Sequence, residues 1–548
     1  MMNKKRLTFG EFDFVTIKTE TENYILQGKG SYTSVSDILV EIQEENGHED
    51  LFLTADDSAV EWIKLRWNRP LPQKVKILGD AWERGYGDFE WRGMCVGRFM
   101  PWYFFVSAED KLWGYGVKVR PSAMCYWQAD PDGITLMLDV RCGGKGVLLH
   151  GRKLKMAELV RMETEINKEN EGCDTFHAAQ EFCRMMCTDP ILPTSPVYGS
   201  NNWYYAYGSS SEEEILSDTD YLLELTQGAE NPPYMVIDDC WQEHHRLDDY
   251  NGGPWRCGNS KFPDMKGLAD KLTAKGVRPG IWVRLLQNED ETIPDIWRLP
   301  LNQCLDPSHP EALDYIKQDV KRICAWGYTL IKHDFSTYDL FGRWGFEMNP
   351  LVTESGWHFY NRSMTSAEVV KLFYQAVYDA AKPYNALILG CNTIGHLGAG
   401  RMHISRTGDD TSGLTWERTR RMGINTLAFR LPQHKCFFDV DADCVGIAGN
   451  IPWKLNRQWA DVLAESGTPL FISAKPGILN QKEKDELRVI LQKASAQNKH
   501  KIPADWMDTD CPRIWIDGEE TSEYHWFEDA GPDLKGNENL YHAYIPLS

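Results

Sequence analysis

The stretch LIKHDFSTYD, Leu330 to Asp339, decides how this chain is read. An apolar run from Tyr328 leads straight into Lys332 and Asp334. A buried strand seldom ends in a lysine and a carboxylate two positions apart unless both are used. Working outward, the same rhythm recurs on either side. Strand-like runs end at YGSNNWYYA, YMVIDDCW, RPGIWVRLL, YTLIKHD, ALILGCN, MHISRTGD, CFFDVDAD and TPLFISA. Helical periodicity lies between them, near Glu212–Thr226, Met265–Lys275, Glu311–Trp326, Ser366–Ala381, Thr415–Leu427, Asn456–Glu465 and Gln481–Ala494. Only the link through LGAGR, between the fifth and sixth runs, is too short for a full helix. Eight such units predict a (β/α)8 barrel. No GxGxxG follows the first run, which disfavours a doubly wound sheet.

Before this region the pattern is different. Short alternating segments (YILQ, ILVEIQ, LFLTA, VEWIKLRW, WYFFVSA, ITLMLDV, GVLLHG) are separated by turn residues such as Asp130, Pro131, Asp132 and Gly133. They predict an N-terminal β-sandwich. A helix near Asp174–Cys187 then leads to Pro190, Pro193 and Pro196, a boundary signal. The last residues again read as strands: RIWIDG, EYHWFE and LYHAYIPL. The expected layout is therefore multidomain α/β: a β-rich domain over 1–190, a TIM barrel over 191–475, and the last barrel helix with a small β-rich unit over 476–548.

In such a barrel the working residues stand at the C-terminal strand ends. Those ends supply Trp203, Asp238, Asp239, Trp241, Trp282, Arg284, Lys332, Asp334, Cys391, Asn392, Arg406, Asp409, Asp441 and Asp443. Carboxylates dominate, and there is neither a serine elbow nor an HExxH helix. Clustered carboxylates serve either a hard cation or glycoside hydrolysis. Lys332 opposes a cation beside Asp334, whereas in a sugar site it donates to hydroxyls and keeps the carboxylate ionised. An Asp after a strand also serves as a helix cap, a role open to either Asp409 or Asp410. Cys391 has no neighbouring base and reads as a small buried residue rather than a nucleophile.

Composition fits a sugar better than an anionic partner. Lys and Arg total 59 against 80 Asp and Glu, a net charge of -21 that repels nucleic acid and anionic membranes. The 21 tryptophans suit flat neutral ligands as well as aromatic cores. Fourteen cysteines lack a disulfide spacing, and Cys183 and Cys187 have no second pair to make a zinc knuckle. MMNKKRLTFGEFDF contains no apolar segment of the signal-peptide kind, and no apolar run is long enough to span a bilayer. A cytoplasmic location is the expectation.

Four segments resemble the α-galactosidases of glycoside hydrolase families 27 and 36: YMVIDDCWQ from Tyr234, KFPDMKGLADKLTAKGVRPGIWV from Lys261, LIKHDF from Leu330 and RTGDD from Arg406. The layout is closest to family 36. The resemblance covers the barrel, about residues 197–475. It implies a retaining hydrolase with Asp334 as nucleophile and Asp409 as acid/base. It also implies that Asp238 and Asp239 hold O4 and O6 of galactose, that Lys332 binds the O3 and O4 side, and that Trp203 and Trp282 wall the pocket. Trp241, Arg406, Cys391 and Asp441 are carried as further substrate-binding candidates. Simpler family members place an Arg four residues before the acid/base, where this chain has Ser405, with Arg406 three before Asp409. The glycone therefore stays open to N-acetylgalactosamine (an α-N-acetylgalactosaminidase) or L-arabinopyranose (a β-L-arabinopyranosidase). A non-catalytic sugar-binding protein is the reading from another class. No metal or cofactor is expected. The partner is a galactoside-type oligosaccharide or polysaccharide side chain, and a homo-oligomer is left open.

Overall fold

A computed structural model describes residues 5–28, 32–247 and 249–527. Two antiparallel sheets form its N-terminal part. One runs in the order Tyr32–Val35, Ile38–Glu45, His48–Ala55, Leu154–Glu165, Lys111–Val117, Tyr103–Ala108 and Lys76–Gly79. The other runs Asn23–Gln27, Phe14–Thr19, Ala59–Trp67, Gly133–Asp139, Met124–Asp130 and Met100–Pro101. Period-two patterning aims one face of each inward: Leu51, Leu53 and Ala55 are buried while the residues between them are half-buried. Trp67 and Trp127 of one sheet meet Phe104 and Tyr115 of the other around Phe9. The helix Glu171–Met186 lies against this unit. Its Phe182 fits only because strand positions 114 and 116 are glycine; a Cβ on Gly114 would stand 2.8 Å from the ring.

The central sheet is entirely parallel. Its strands are Tyr198–Asn201, Tyr234–Ile237, Arg278–Val283, Leu330–His333, Leu387–Gly390, Ile404–Arg406, Asp439–Asp441 with Cys444–Ile447, and Leu470–Ala474. Asp439–Asp441 pairs with the sixth strand and Cys444–Ile447 with the eighth. Only Ala442 and Asp443 separate these halves, and Asp443 has φ 73. They are one interrupted strand, and through it the sheet closes into a ring. The eighth strand pairs with the first.

Alternate residues of each strand face the ring's interior. Val236, Leu330, Leu389, Cys391, Ile404, Cys444 and Phe471 form an inner cluster separate from the main core. Their neighbours Ile237, Ile331 and Ile388 join the outer core, where the helices pack. Leu330, Lys332 and Asp334 thus share the inner face, one above another. Being buried on both sides explains the near-continuous apolar strands.

Helices Glu212–Leu225, Met265–Lys275, Pro310–Ala325, Ser366–Ala381, Trp453–Ser466 and Gln481–Ala496 occupy the predicted places. The expected Thr415–Leu427 helix is instead Trp416–Arg418, a π-helical stretch Thr419–Asn425 and Thr426–Arg430. Gly423 packs there against the Trp459 ring, 2.8 Å from where a Cβ would stand. A three-stranded sheet (Ile502–Pro503, Ile514–Asp517, Glu520–Glu523) follows the last helix. RIWIDG is therefore a strand, EYHWFE lies mostly after one, and LYHAYIPL falls outside the described residues. Trp506 joins this segment to the rest, against Trp91, Phe176 and Phe429. Among the described residues no helix is long and apolar enough to cross a membrane.

Candidate active site

The fourth ring strand stops at His333, and the chain turns through Phe335 at φ 61. That turn leaves Asp334 at the ring's C-terminal mouth. Its Oδ1 accepts the Phe335 amide at 2.7 Å and the Asn392 amide, from the end of the fifth strand, at 3.1 Å. Its Oδ2 accepts the Trp282 indole N–H at 3.0 Å. Burial would raise this carboxyl's pKa. Lys332, then Arg84 and the Trp282 bond, outweigh burial and hold it below the usual range, while Asp410 opposes them.

Lys332 donates from Nζ to Asp238 Oδ2 at 2.6 Å. The same oxygen takes Asn201 Nδ2 at 2.6 Å, and Asp238 Oδ1 takes the Asp239 amide at 2.9 Å. Burial opposes the charge on Lys332, but Asp238 keeps its pKa well above the ordinary lysine value. Asp239 behaves oppositely. Burial first, and then the charge of Asp238, push it up to about 7, although Gln242 Nε2 donates to it at 2.8 Å. Two adjacent carboxylates thus differ in character: one sealed by a cation, one poised to gain or lose a proton near neutrality.

Across the mouth, Arg406 is buried at the end of the sixth strand. Its Nη2 lies 3.1 Å from Asp443 Oδ2 and 3.2 Å from Asp410 Oδ1, and its Nη1 donates to Cys391 Sγ at 3.2 Å. Asp443 also accepts the Thr411 amide at 2.8 Å and the Tyr204 hydroxyl, tying the first, sixth and seventh strands together. Asp441 is buried below, and that burial pushes it up to about 6. The next carboxylates are arranged unequally. Asp409 gives Oδ1 to Arg84 Nη2 at 2.8 Å and Oδ2 to Arg418 Nη2 at 2.9 Å. Asp410 keeps 41% of its side chain exposed and has Oδ1 alone engaged, by Arg406. Burial works against its charge, but Arg406, then Arg84, Lys332 and Arg418, hold its pKa low.

The chain has similar proteins among those already known. No family model matches the chain. The α-galactosidase of rice (Oryza sativa subsp. japonica) is 31% identical over 144 residues, covering 26% of this chain and 30% of its own length. The chain therefore spans under a third of that relative. Solved structures align much more broadly. The α-galactosidase of Thermus thermophilus, in complex with p-nitrophenyl α-D-galactopyranoside, matches with TM-score 0.58 over 90% of this chain and 99% of that one, at 16% identity. A family 36 α-galactosidase of Geobacillus stearothermophilus matches with TM-score 0.55 over 89% of this chain and 77% of that one, also at 16% identity. Over 144 residues of sequence the chain resembles a plant α-galactosidase, and its fold resembles those of solved α-galactosidases.

The structure gathers most of the residues named from the α-galactosidase-like motifs. Asp238, Asp239, Lys332, Trp282, Asp334 and Arg406 stand on the inner face or at the mouth. Trp203 is half-buried at the rim beside Tyr207, ring centroids 5.5 Å apart. Three of the named residues have settings unlike the others. Trp241 has 0% exposure and donates its indole N–H to the Trp282 carbonyl at 2.9 Å, so it supports the wall from behind. Cys391 is a protonated thiol whose pKa burial pushes well up, and it acts as a buried acceptor for Arg406. Asp409 has each oxygen engaged by a guanidinium group, whereas Asp410 has its Oδ1 held by Arg406.

Sequence reasoning left the cap role open between Asp409 and Asp410 and took Asp409 as the acid/base from the resemblance, yet one further signal was available. Arg406 lies four residues before Asp410, the family spacing that seemed absent when counted from Asp409. Glu83 and Arg84 were missed entirely, since nothing local marks a sheet-domain loop as part of a ring's mouth.

Proposed function

We propose that the protein is a retaining α-galactosidase acting on terminal α-galactosides of oligosaccharides or polysaccharide side chains. One observation carries the reading. Asp334, at the end of the fourth strand, and Asp410, tied by Arg406 to the end of the sixth, stand at one mouth with the Lys332–Asp238 pair beside Asp334. Local identity to a plant α-galactosidase supports the substrate class. The strand pairings support a (β/α)8 barrel over about 191–475, flanked by the sandwich over 1–190 and the final helix with its small sheet.

Asp334 is the nucleophile. Its carboxylate oxygen attacks the anomeric carbon as the glycosidic C–O bond breaks, and the departing oxygen takes a proton that Asp410 has to hold against Arg406 and Arg84, whose charges favour its ionised form. A glycosyl ester on Asp334 results. Asp410, now a carboxylate, removes a proton from water, whose oxygen attacks the anomeric carbon and breaks the ester bond. Two inversions give net retention, which calls for carboxyl groups about 5–5.5 Å apart. Asp409, the sequence-based choice for the proton carrier, is better suited to holding Arg84 and Arg418. Asp238, Asp239 and Lys332 take the O4, O6 and O3 side of the ring, and Trp203 and Trp282 wall it.

The deciding experiment offers the purified protein nitrophenyl α-galactoside, α-N-acetylgalactosaminide and β-L-arabinopyranoside. Nitrophenol release from the first at the highest kcat/KM is expected. Release from another glycoside alone would move the glycone assignment, and release from none would sink the hydrolase reading.

A further inference from the structure

We propose that the N-terminal sheet unit completes the ring's site through a positioning residue, Arg84, which fixes the Asp409–Asp410 segment and sets a positive charge beside Asp334. This rests on the hydrolase reading above.

Arg84 sits on the segment 80–92, after the strand Lys76–Gly79. The segment leaves its own sheet and docks on the ring mouth between the fifth and sixth strands. Gly85 forms a parallel bridge with Gly408: its amide donates to the Thr407 carbonyl at 2.7 Å, and its carbonyl accepts the Asp409 amide at 3.1 Å. Neither glycine has room for a side chain; a Cβ would lie 2.3 Å from the Phe89 ring at Gly85 and 2.0 Å from the Met422 carbonyl at Gly408. Just before Arg84, Asp80 is bound by Arg430 Nη2 at 2.8 Å, and Glu83 accepts Asn392 Nδ2 at 2.7 Å. Asn425 holds both backbone groups of Phe89, at 3.2 and 2.8 Å.

The guanidinium of Arg84 is 7% exposed. Besides Asp409 it has Glu83 Oε1 at 3.5 Å from Nε, and it lies over the rings of Trp344 and Tyr86, at 5.5 and 5.8 Å. Apolar side chains would join two sheets at a lower desolvation cost than buried Asp80, Glu83 and Arg84. Glu83 reaches Asn392, the Gly85 amide reaches Thr407 and Arg84 reaches Asp409, a convergence that points to alignment of the mouth rather than to adhesion. Asn392 also donates its amide to Asp334, so the arm braces both the nucleophile's strand end and the proton carrier's.

Lys332, Arg84, the Trp282 N–H and Asp410 act most strongly on Asp334, with Asp239, Arg284, His333, Asp339 and Cys391 also near it; Arg406, Arg84, Lys332 and Arg418 act most strongly on Asp410, with Tyr204 and Tyr207 also near it. Arg84 is common to both and lowers both. Its removal shifts the two carboxyls in the same direction, upward, which loss of packing alone does not do.

The test uses the full chain with R84Q, R84K, D409N and the R84Q/D409N double variant. With nitrophenyl α-galactoside, R84Q is expected to lose at least about tenfold in kcat with KM changed by less than about threefold. Both limbs of its pH–rate profile move to higher pH. R84K returns the limbs toward their original positions, but without a planar fork it restores kcat incompletely. Thermal unfolding of the same four proteins reads the arm independently of catalysis: non-additive shifts in the Arg84–Asp409 cycle support the anchoring. Unmoved pH limbs in R84Q, or additive shifts in the cycle, would overturn the proposal. A wild-type chain inactive on every glycoside would instead count against the hydrolase reading and leave the cycle to judge the arm.

Discussion

Asp409 and Asp410 are adjacent, and exchanging each for Asn should produce opposite phenotypes. Asp409 bridges two guanidinium groups that are each 7% exposed, at 2.8 and 2.9 Å. D409N leaves Arg418 without this charged partner and Arg84 with only the longer contact to Glu83 at 3.5 Å. Breaking buried pairs in this way costs about 3–5 kcal/mol of stability. Asp410 has 41% of its side chain exposed and one 3.2 Å contact to Arg406, which keeps Asp443 at 3.1 Å. D410N should cost about 1 kcal/mol or less. For catalysis the order reverses. Losing the proton carrier should lower kcat/KM on an unactivated galactoside by about 10²–10⁴-fold.

Azide distinguishes catalysis from misfolding. With D410G and nitrophenyl α-galactoside, the leaving group departs with little acid assistance and the glycosyl ester on Asp334 accumulates. Azide needs no general base, so it should restore turnover and give the galactosyl azide with retained configuration, seen by NMR. Azide rescue of D409G but not of D410G would refute the assignment, as would a D410N protein with normal kcat/KM on raffinose-type substrates.

D334N should fold, with an unfolding midpoint near that of wild type, and lose at least about 10⁴-fold in kcat; trapping by a 2-deoxy-2-fluoro galactosyl donor should label Asp334 in the wild type and nothing in the variant. Asp239, raised from 3.8 to about 7, binds a proton in the folded state that the unfolded chain has released. Its contribution to stability is therefore present below about pH 4 and falls as pH rises to 7, by at most about 1.4 kcal/mol per pH unit. D239N should flatten the dependence of the unfolding midpoint over that window, and an unchanged slope would place the titration elsewhere. Trp241, behind the Trp282 wall, should cost about 3–5 kcal/mol on truncation to Ala, as judged by denaturant unfolding.

Much of this architecture was legible in the chain itself. Strand and helix periodicities located most ring elements, and the two-residue spacing of Lys332 and Asp334 put both on one face. The exceptions have local causes. The helix expected over Thr415–Leu427 is interrupted where Gly423 meets Trp459, and the seventh strand is broken where Asp443 adopts a left-handed conformation.

What the sequence could determine is what depends on neighbours along the chain: periodicity, strand ends, and which side chains face inward. Which carboxylate is free and which is clamped was decided only by the tertiary structure. Arg84 reaches Asp409 from the other sheet unit, Arg418 reaches it from the irregular helix, and Asp410 is left open. A carboxylate's protonation and reach are set by the charges and the exclusion of water around it, and here those come from segments far apart in sequence. Adjacent aspartates that read alike are therefore made different by what folds against them.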